Sequence, residues 1–532
     1  MIHFVETMET TWPSHWLKFV LLLAVLSPAE TTPLCPNNCG CSVGAPASSL
    51  TIDCHGDQSV NAGQLSQQID CLLSSNLSDG HLTRLTIKGT PLTQVPSSVC
   101  RLTTLTELLL DSNQLTRLPD DCISNLSSLT TISATSNHIS QLQDGLFDGL
   151  SRLESLTLTN NSIQSIGLSV FDGSAGLTSL RTVRLDWNRI HTLEPWFYYV
   201  GVNGKLDGRS WVDLSHNNIS AFTNRMGWKA DCRGKKLYVE LWLRYNKFRH
   251  ISDVVRGWNI NITTWLCLSP MQGGKKASVI NFGGSLLACD CVDFRFYKLL
   301  HAPIKSILLS DAYCTSPASL YMRKVSSVPL DQFVCEVTER CPAGCRCVHR
   351  PANATLHVYC SNANLTALPR ELPALPKSYS KYKLDFSDNR LIRRLEHRPY
   401  FVDAPFLDVS GCGVDSLNLE TWNALANISQ VLLDGNRLQT LPPAVAAVSL
   451  RRSRVSLGRN PWQCSCDARW MPVWLKSVES SLVNHNDITC TSPSRLEKRN
   501  IMSVSQEEFC EDPASAAIKM TLTISLSTVA GQ

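Results

Sequence analysis

One template, L-x-x-L-x-L-x-x-N-x-L, recurs along this chain and limits what it can fold into. The clearest copy is LTELLLDSNQL (Leu105 to Leu115), followed by LTTISATSNHI (Leu129 to Ile139), LESLTLTNNSI (Leu153 to Ile163) and LRTVRLDWNRI (Leu180 to Ile190). RSWVDLSHNNI (Arg209 to Ile219) and YVELWLRYNKF (Tyr238 to Phe248) are looser, and LTRLTIKGTPL (Leu82 to Leu92) carries Thr90 in place of Asn. A period of 20 to 30 residues marks a solenoid, in which each repeat buries its apolar face only against its neighbours. The L-x-L centre predicts a short strand with leucines inward and alternate residues outward. Asn113, Asn137, Asn161, Asn188, Asn217 and Asn246 then turn inward to satisfy backbone groups at the bend, as buried polar groups must. The expected fold is an α/β horseshoe with a parallel concave sheet. Asn-to-Asn spacings of 24, 24, 27, 29 and 29 place extra loop in the later repeats.

Terminal repeats of a solenoid would show open core to water unless capped. Cys35, Cys39, Cys41 and Cys54 share a C-x3-C-x-C spacing with Cys341, Cys345, Cys347 and Cys360, and both read as opening caps. Pairing of first with third and second with fourth is the expectation, although sequence leaves connectivity open. Cys289, Cys291, Cys314 and Cys335 would close a first block, and Cys464, Cys466, Cys490 and Cys510 a second. The expected order is a signal peptide (1–30), opening cap (31–81), repeats (82–284), closing cap (285–335), second opening cap (336–368), second repeats (369–459), second closing cap (460–510) and a tail (511–532). The second block shows three weaker strands, KYKLDFSDNRL, APFLDVSGCGV and ISQVLLDGNRL, with Cys412 at an Asn position and expected to stay unpaired and buried. Cys232 and Cys267 are expected to bridge an irregular loop. Cys100 and Cys122 either pair or stay as buried thiols, with Cys71 left over.

The apolar run WLKFVLLLAVL before Ser27, Pro28 and Ala29 reads as a secretory signal. Behind it, 22 cysteines imply an oxidising compartment and disulfides rather than zinc sites. Sequons at Asn76, Asn125, Asn160, Asn218, Asn261, Asn353, Asn364 and Asn427 fit an exported, glycosylated surface. A net charge of +4 is too mild to argue for nucleic acid or an anionic membrane. The last twenty residues are too short and too polar to span a bilayer, and are either the start of a membrane segment or a loose tail. No HExxH, GxSxG, GxxxxGK[ST] or GxGxxG is present, so neither an enzyme nor a cofactor or metal site is expected.

Outward positions lie two, four and six before each Asn. In the middle repeats they are hydroxyls, Thr131, Ser133, Thr135, Ser155, Thr157 and Thr159; further on they become Thr182, Arg184, Asp186, Trp211, Asp213, Ser215, Glu240, Trp242 and Arg244. Tryptophan and arginine are what recognition hot spots favour, which makes Arg184, Asp186, Trp211, Asp213, Glu240, Trp242 and Arg244 the candidate ligand patch. The competing reading packs these tryptophans on edge loops or beneath a glycan. Trp187 and Tyr245, one place before their asparagines, are expected to support the turn.

The order of caps and repeats resembles the ectodomains of Toll and the Toll-like receptors, which are leucine-rich-repeat proteins. CPAGCRC, LTALPRELP, LLDGNRLQTLP and NPWQCSCDARWMPVWL carry the likeness most closely. The resemblance implies an extracellular receptor part that binds a protein or microbial ligand in innate immune or developmental signalling. Pairing of two copies through one face, and a membrane tether beyond Gln532, belong to the same expectation. No cytoplasmic signalling domain is in the sequence, and block one has fewer repeats than most relatives. A secreted or matrix-associated Slit-like adhesion or guidance protein, or a soluble decoy receptor, is the alternative.

Overall fold

The computed structural model describes residues 35–36, 39–44, 48–53, 61–76, 82–171, 176–202, 210–227, 239–258, 279–300, 307–309, 311–377 and 379–510. The expected signal peptide, the expected tail, Cys54, Cys232, Cys267 and Asn261 lie outside them. The chain forms two compact units, Met1–Leu287 with Pro303–Tyr313, and Ala288–Ala302 with Cys314–Gln532.

The first unit is built on a sheet that begins with an antiparallel hairpin, Gly40–Gly44 and Ser49–Asp53, and continues in parallel through the repeats. Its repeat strands run Arg84–Lys88, Glu107–Leu109, Thr131–Ser133, Ser155–Thr157, Thr182–Arg184, Ser210–Asp213 and Val239–Trp242. Val279–Asn281 and Ile307–Leu308 extend the sheet past the last clear copy of the template. Register puts one inward residue of each strand beside the next: Leu85, Leu108, Ile132, Leu156, Val183, Val212 and Leu241 form a buried row. Each such side chain contributes about 1.5–3 kcal/mol of burial. On the other side of the core a buried aromatic chain runs from Phe147 through Phe171, Trp196, Phe197 and Trp258 to Phe222, Phe248 and Phe282, with neighbouring centroids 4.5–6.2 Å apart. The Trp258 indole N–H donates to Leu193 O at 3.0 Å, so this bulk is buried without an orphaned donor.

Each repeat asparagine ties one turn to the previous one. Asn188 donates from Nδ2 to Leu158 O at 2.9 Å and Leu185 O at 3.1 Å, and its Oδ1 accepts from Ile163 N at 2.9 Å. Asn113, Asn137, Asn161, Asn217 and Asn246 repeat the pattern on their own neighbours. Thr90, in the first repeat, cannot span this distance and instead bonds to Asn113 Oδ1 of the next one. Cys35 bridges Cys41 and Cys100 bridges Cys122, while Cys71 is a free, exposed thiol on the helix Ala62–Asn76.

The second unit holds a sheet in the order Cys335–Val337, Arg346–Arg350, Thr355–Tyr359, Lys381–Asp385, Phe406–Asp408, Gln430–Leu432, Arg454–Ser456 and Leu482–Val483. The first two pairings are antiparallel and the rest parallel. Cys289–Cys314 and Cys291–Cys335 lie in this unit with Cys341–Cys347 and Cys345–Cys360. Cys335, the last cysteine of the first closing cluster, begins the strand Cys335–Val337 at the start of the second sheet. Arg454–Ser456 is a further repeat strand, since Asn460 donates to Leu433 O at 3.0 Å and accepts from Leu438 N at 3.2 Å. Cys412 is free and buried at the asparagine position, donating to Phe386 O at 3.2 Å. Burial pushes its thiol up to about 11. Cys464–Cys490 and Cys466–Cys510 close the unit around Trp462, with Met471 and Leu475 of the helix Met471–Ser477 buried beside it.

Candidate recognition surface

Alternation along the short strands turns every second side chain to the concave face, and neighbour strands carry those side chains in register. At the hydroxyl-rich repeats this face is closed by its own bonds. Ser133 Oγ and Thr135 N both donate to Asp111 Oδ1, at 2.6 and 2.7 Å, and Thr159 Oγ1 donates to Asp186 Oδ1 at 2.7 Å.

The next three strands differ. Trp211 pairs in register with Glu240 and Asp213 with Trp242, so the two tryptophans sit on the diagonal and meet edge to face, centroids 5.7 Å apart. The Arg184 guanidinium lies 5.5 Å from the Trp211 ring centre, within cation–π reach, and its Nε is 3.5 Å from Asp186 Oδ1. Asp186 and Asp213, expected on the outward face, are buried beneath these larger side chains, while Trp211, Glu240, Trp242 and Arg244 are half-buried. Burial pushes the Asp213 carboxyl above its ordinary 3.8, with bonds from Ser215 drawing it down and Asp186 adding to the push. The Trp211 indole N–H and Arg244 Nε are buried and find no acceptor among the described residues. The seven residues thus fall into one cluster of two indoles, two guanidinium groups and three carboxylates.

Sequence reasoning missed the rim of this cluster. Trp187, His216 and Tyr245, each one place before its asparagine, adopt φ of 57°, 55° and 54°. Left-handed backbone is costly for bulky residues, and here it turns the three rings outward into one stack. Trp187 and His216 lie 3.9 Å apart at 8°, and His216 and Tyr245 4.4 Å apart at 18°. Arg244 covers Tyr245 at 5.4 Å. The stack ends on Gly284, where a Cβ would come within 2.3 Å of the Tyr245 ring, so no side chain fits there. Trp187 remains 56% exposed and Tyr245 45%. These are not mere turn supports but a displayed aromatic ladder; three consecutive aromatic residues at one repeat position were the signal for it.

Of the sequon asparagines, Asn125, Asn160, Asn353, Asn364 and Asn427 are exposed, Asn218 is half-buried, and Asn76 ends its helix. Among the described residues no cluster of three or more His, Cys, Asp or Glu could hold a metal, and no helix is long and apolar enough to cross a membrane.

The leucine rich repeat family matches residues 80–139 and 129–190, its N-terminal domain 340–373 and its C-terminal domain 311–336. Protein toll of Drosophila melanogaster is 24% identical over 344 residues, 59% of this chain and 29% of that protein. Chondroadherin of Mus musculus is 29% identical over 111 residues, 20% of this chain and 29% of its own length. This chain therefore spans under a third of either relative. A chain in the solved Toll–Spatzle complex superposes with a TM-score of 0.54 at 19% identity, covering 81% of this chain and 58% of that one. The glycosylated form of that complex gives 0.53 at 21% identity, over 83% and 56%. Repeats and cysteine clusters together give this chain the fold of a capped leucine-rich-repeat solenoid, similar to that of the solved Toll–Spatzle chain.

Proposed function

We propose that this chain is the recognising part of an extracellular protein, capturing a protein ligand on the concave face around Trp211 and Trp242. The observation that carries the reading is two aromatic sets on the same three repeats, that edge-to-face pair and the ladder of Trp187, His216 and Tyr245. They are flanked by Arg184 and Arg244. Buried aromatic and arginine anchors dominate protein interfaces, and Trp211 Nε1 and Arg244 Nε, without an acceptor among the described residues, are donors that a ligand or a water would complete. Similarity to Toll, whose solved complex contains Spatzle, supports a protein rather than a small molecule as the occupant. Signalling would then follow from a paired state favoured by ligand, which requires differential affinity for that state.

The test is surface plasmon resonance of the secreted full chain against recombinant Spatzle. Replacing Trp211 and Trp242 by Ala should weaken capture roughly thirtyfold or more while secretion and thermal melting stay near wild type. Trp187→Ala, at the exposed rim, should weaken it less. Undiminished capture by the double variant would remove the concave patch as the site.

A further inference from the structure

The second unit carries a cleft of about 680 Å³ between the strand Arg454–Ser456, the turn Pro443–Ala447 and the closing-cap helix Met471–Ser477. Its lining holds Arg451, Arg452 and Arg454, six serines and Trp474, and no Asp or Glu. All three arginines are exposed. None forms an ion pair or side-chain hydrogen bond among the described residues, whereas Arg84, Arg225, Arg256, Arg398 and Arg499 each hold a carboxylate. Three guanidinium groups close together without a counter-charge repel one another, and a bound anion relieves that.

Exposed arginines alone would be an ordinary solvated face. Two further groups distinguish this one. Ser453 is 2% exposed and Trp474 4%, both line the cleft, and Ser453 Oγ and Trp474 Nε1 are buried with no hydrogen-bond partner among the described residues. A buried polar group of this kind calls for a partner, be it water, an ion or a ligand group. The wall is rigid: Ser453 N donates to Leu450 O at 3.0 Å, and Ser481 Oγ donates to the same carbonyl at 2.9 Å. Ala446 and Ala447 add little bulk to the opposite side. The donors therefore come as planar forks from the rim and as single O–H and N–H groups from buried positions, and an indole N–H can only donate.

We propose that this cleft binds a tetrahedral oxyanion, a sulfate or phosphate group borne on a polar molecule, held by Arg451, Arg452 and Arg454 at the rim with Ser453 and Trp474 as buried donors. Four oxygens in tetrahedral array can meet donors arriving from several directions, where a planar carboxylate meets one fork. The proposal does not depend on the concave patch of the first unit.

The experiment titrates the glycosylated full chain with sodium sulfate, sodium phosphate and a sulfated disaccharide, with ionic strength held constant by sodium chloride, using calorimetry. Saturable binding is expected, weakened roughly tenfold or more when Arg451, Arg452 and Arg454 are all changed to Gln. Ser453→Ala, which keeps every charge, should weaken it severalfold, and Arg437→Gln, an exposed arginine outside the cleft, should leave it unchanged. Preference for the disaccharide over inorganic phosphate would assign the group to a sulfated sugar, and the reverse preference to a phosphorylated molecule; both support the site. Absence of saturable binding by every probe would overturn it, as would equal losses from Arg437→Gln and the triple variant.

Discussion

At the level of single residues, the repeat asparagines tie each turn of this fold to the one before it, which a leucine side chain cannot do. Removing the Asn188 side chain would strand Ile163 N in a closed turn and leave Leu158 O and Leu185 O with one asparagine donor each, from Asn161 and Asn217, where they now have two. The stranded N–H costs about 1–3 kcal/mol and each lost carbonyl bond about 0.5–1 kcal/mol, so Asn188→Ala should cost the first unit roughly 2–4 kcal/mol. Gln114→Ala, at an exposed position one place after Asn113, should change stability by less than about 0.5 kcal/mol. Urea midpoints of the two variants check this, and similar values would refute the structural role assigned to the asparagine. These residues were legible in the sequence because the template demands a short amide where two backbones converge. Cys412 was legible for the same reason: a thiol fits the space, though it makes one bond to Phe386 O where Asn389 and Asn436 each tie two turns together.

At the level of elements, strands and caps could be read because apolar alternation and cysteine spacing are local. The aromatic ladder could not be read that way. Whether Trp187, His216 and Tyr245 prop the turn or leave it depends on a left-handed backbone angle that alternation does not encode. Val279–Asn281 escaped notice as a strand because no full copy of the template surrounds it, and its pairing with Val239–Trp242 is set by tertiary context. In the ladder His216 is the middle ring, so His216→Ala should break both contacts at once. Aromatic pairs are worth about 0.5–1.5 kcal/mol each, which predicts a loss of roughly 1–2 kcal/mol and a change in the near-ultraviolet circular dichroism of Trp187. Trp187→Ala removes only one contact and should cost less. A larger loss from Trp187→Ala than from His216→Ala would mean that the rings do not act as a stack.

Across the whole molecule, four partly or fully buried groups share one sign in their response to acid. His357 is buried, with Nδ1 2.9 Å from the Tyr359 hydroxyl, and burial, reinforced by Arg350 and Lys383, lowers its pKa from 6.5 to about 4. Burial likewise lowers His349 in the same unit and His216 in the first. Glu194 is pushed up by burial but held below its ordinary 4.5 by bonds from Thr223 and Arg225. For each of these the folded value lies below the unfolded one, so the unfolded chain binds protons first as pH falls. The stability they confer is present above the unfolded value and is lost as pH falls through the folded one. Asp213 opposes this, since its raised value favours the folded state in acid, and only toward its unfolded 3.8. For His357 the window runs from 6.5 down to about 4, and its share between pH 7 and pH 5 is on the order of 1–2 kcal/mol after allowance for solvent screening. Hydrogen exchange of the strand Thr355–Tyr359, corrected for intrinsic rates, should show protection falling over that range. His357→Gln should flatten the fall, because glutamine takes no proton in either state. An undiminished slope in that variant would place the acid response of this unit elsewhere, with His349, half-buried and carrying an Nε2 that finds no partner among the described residues, as the next group to test.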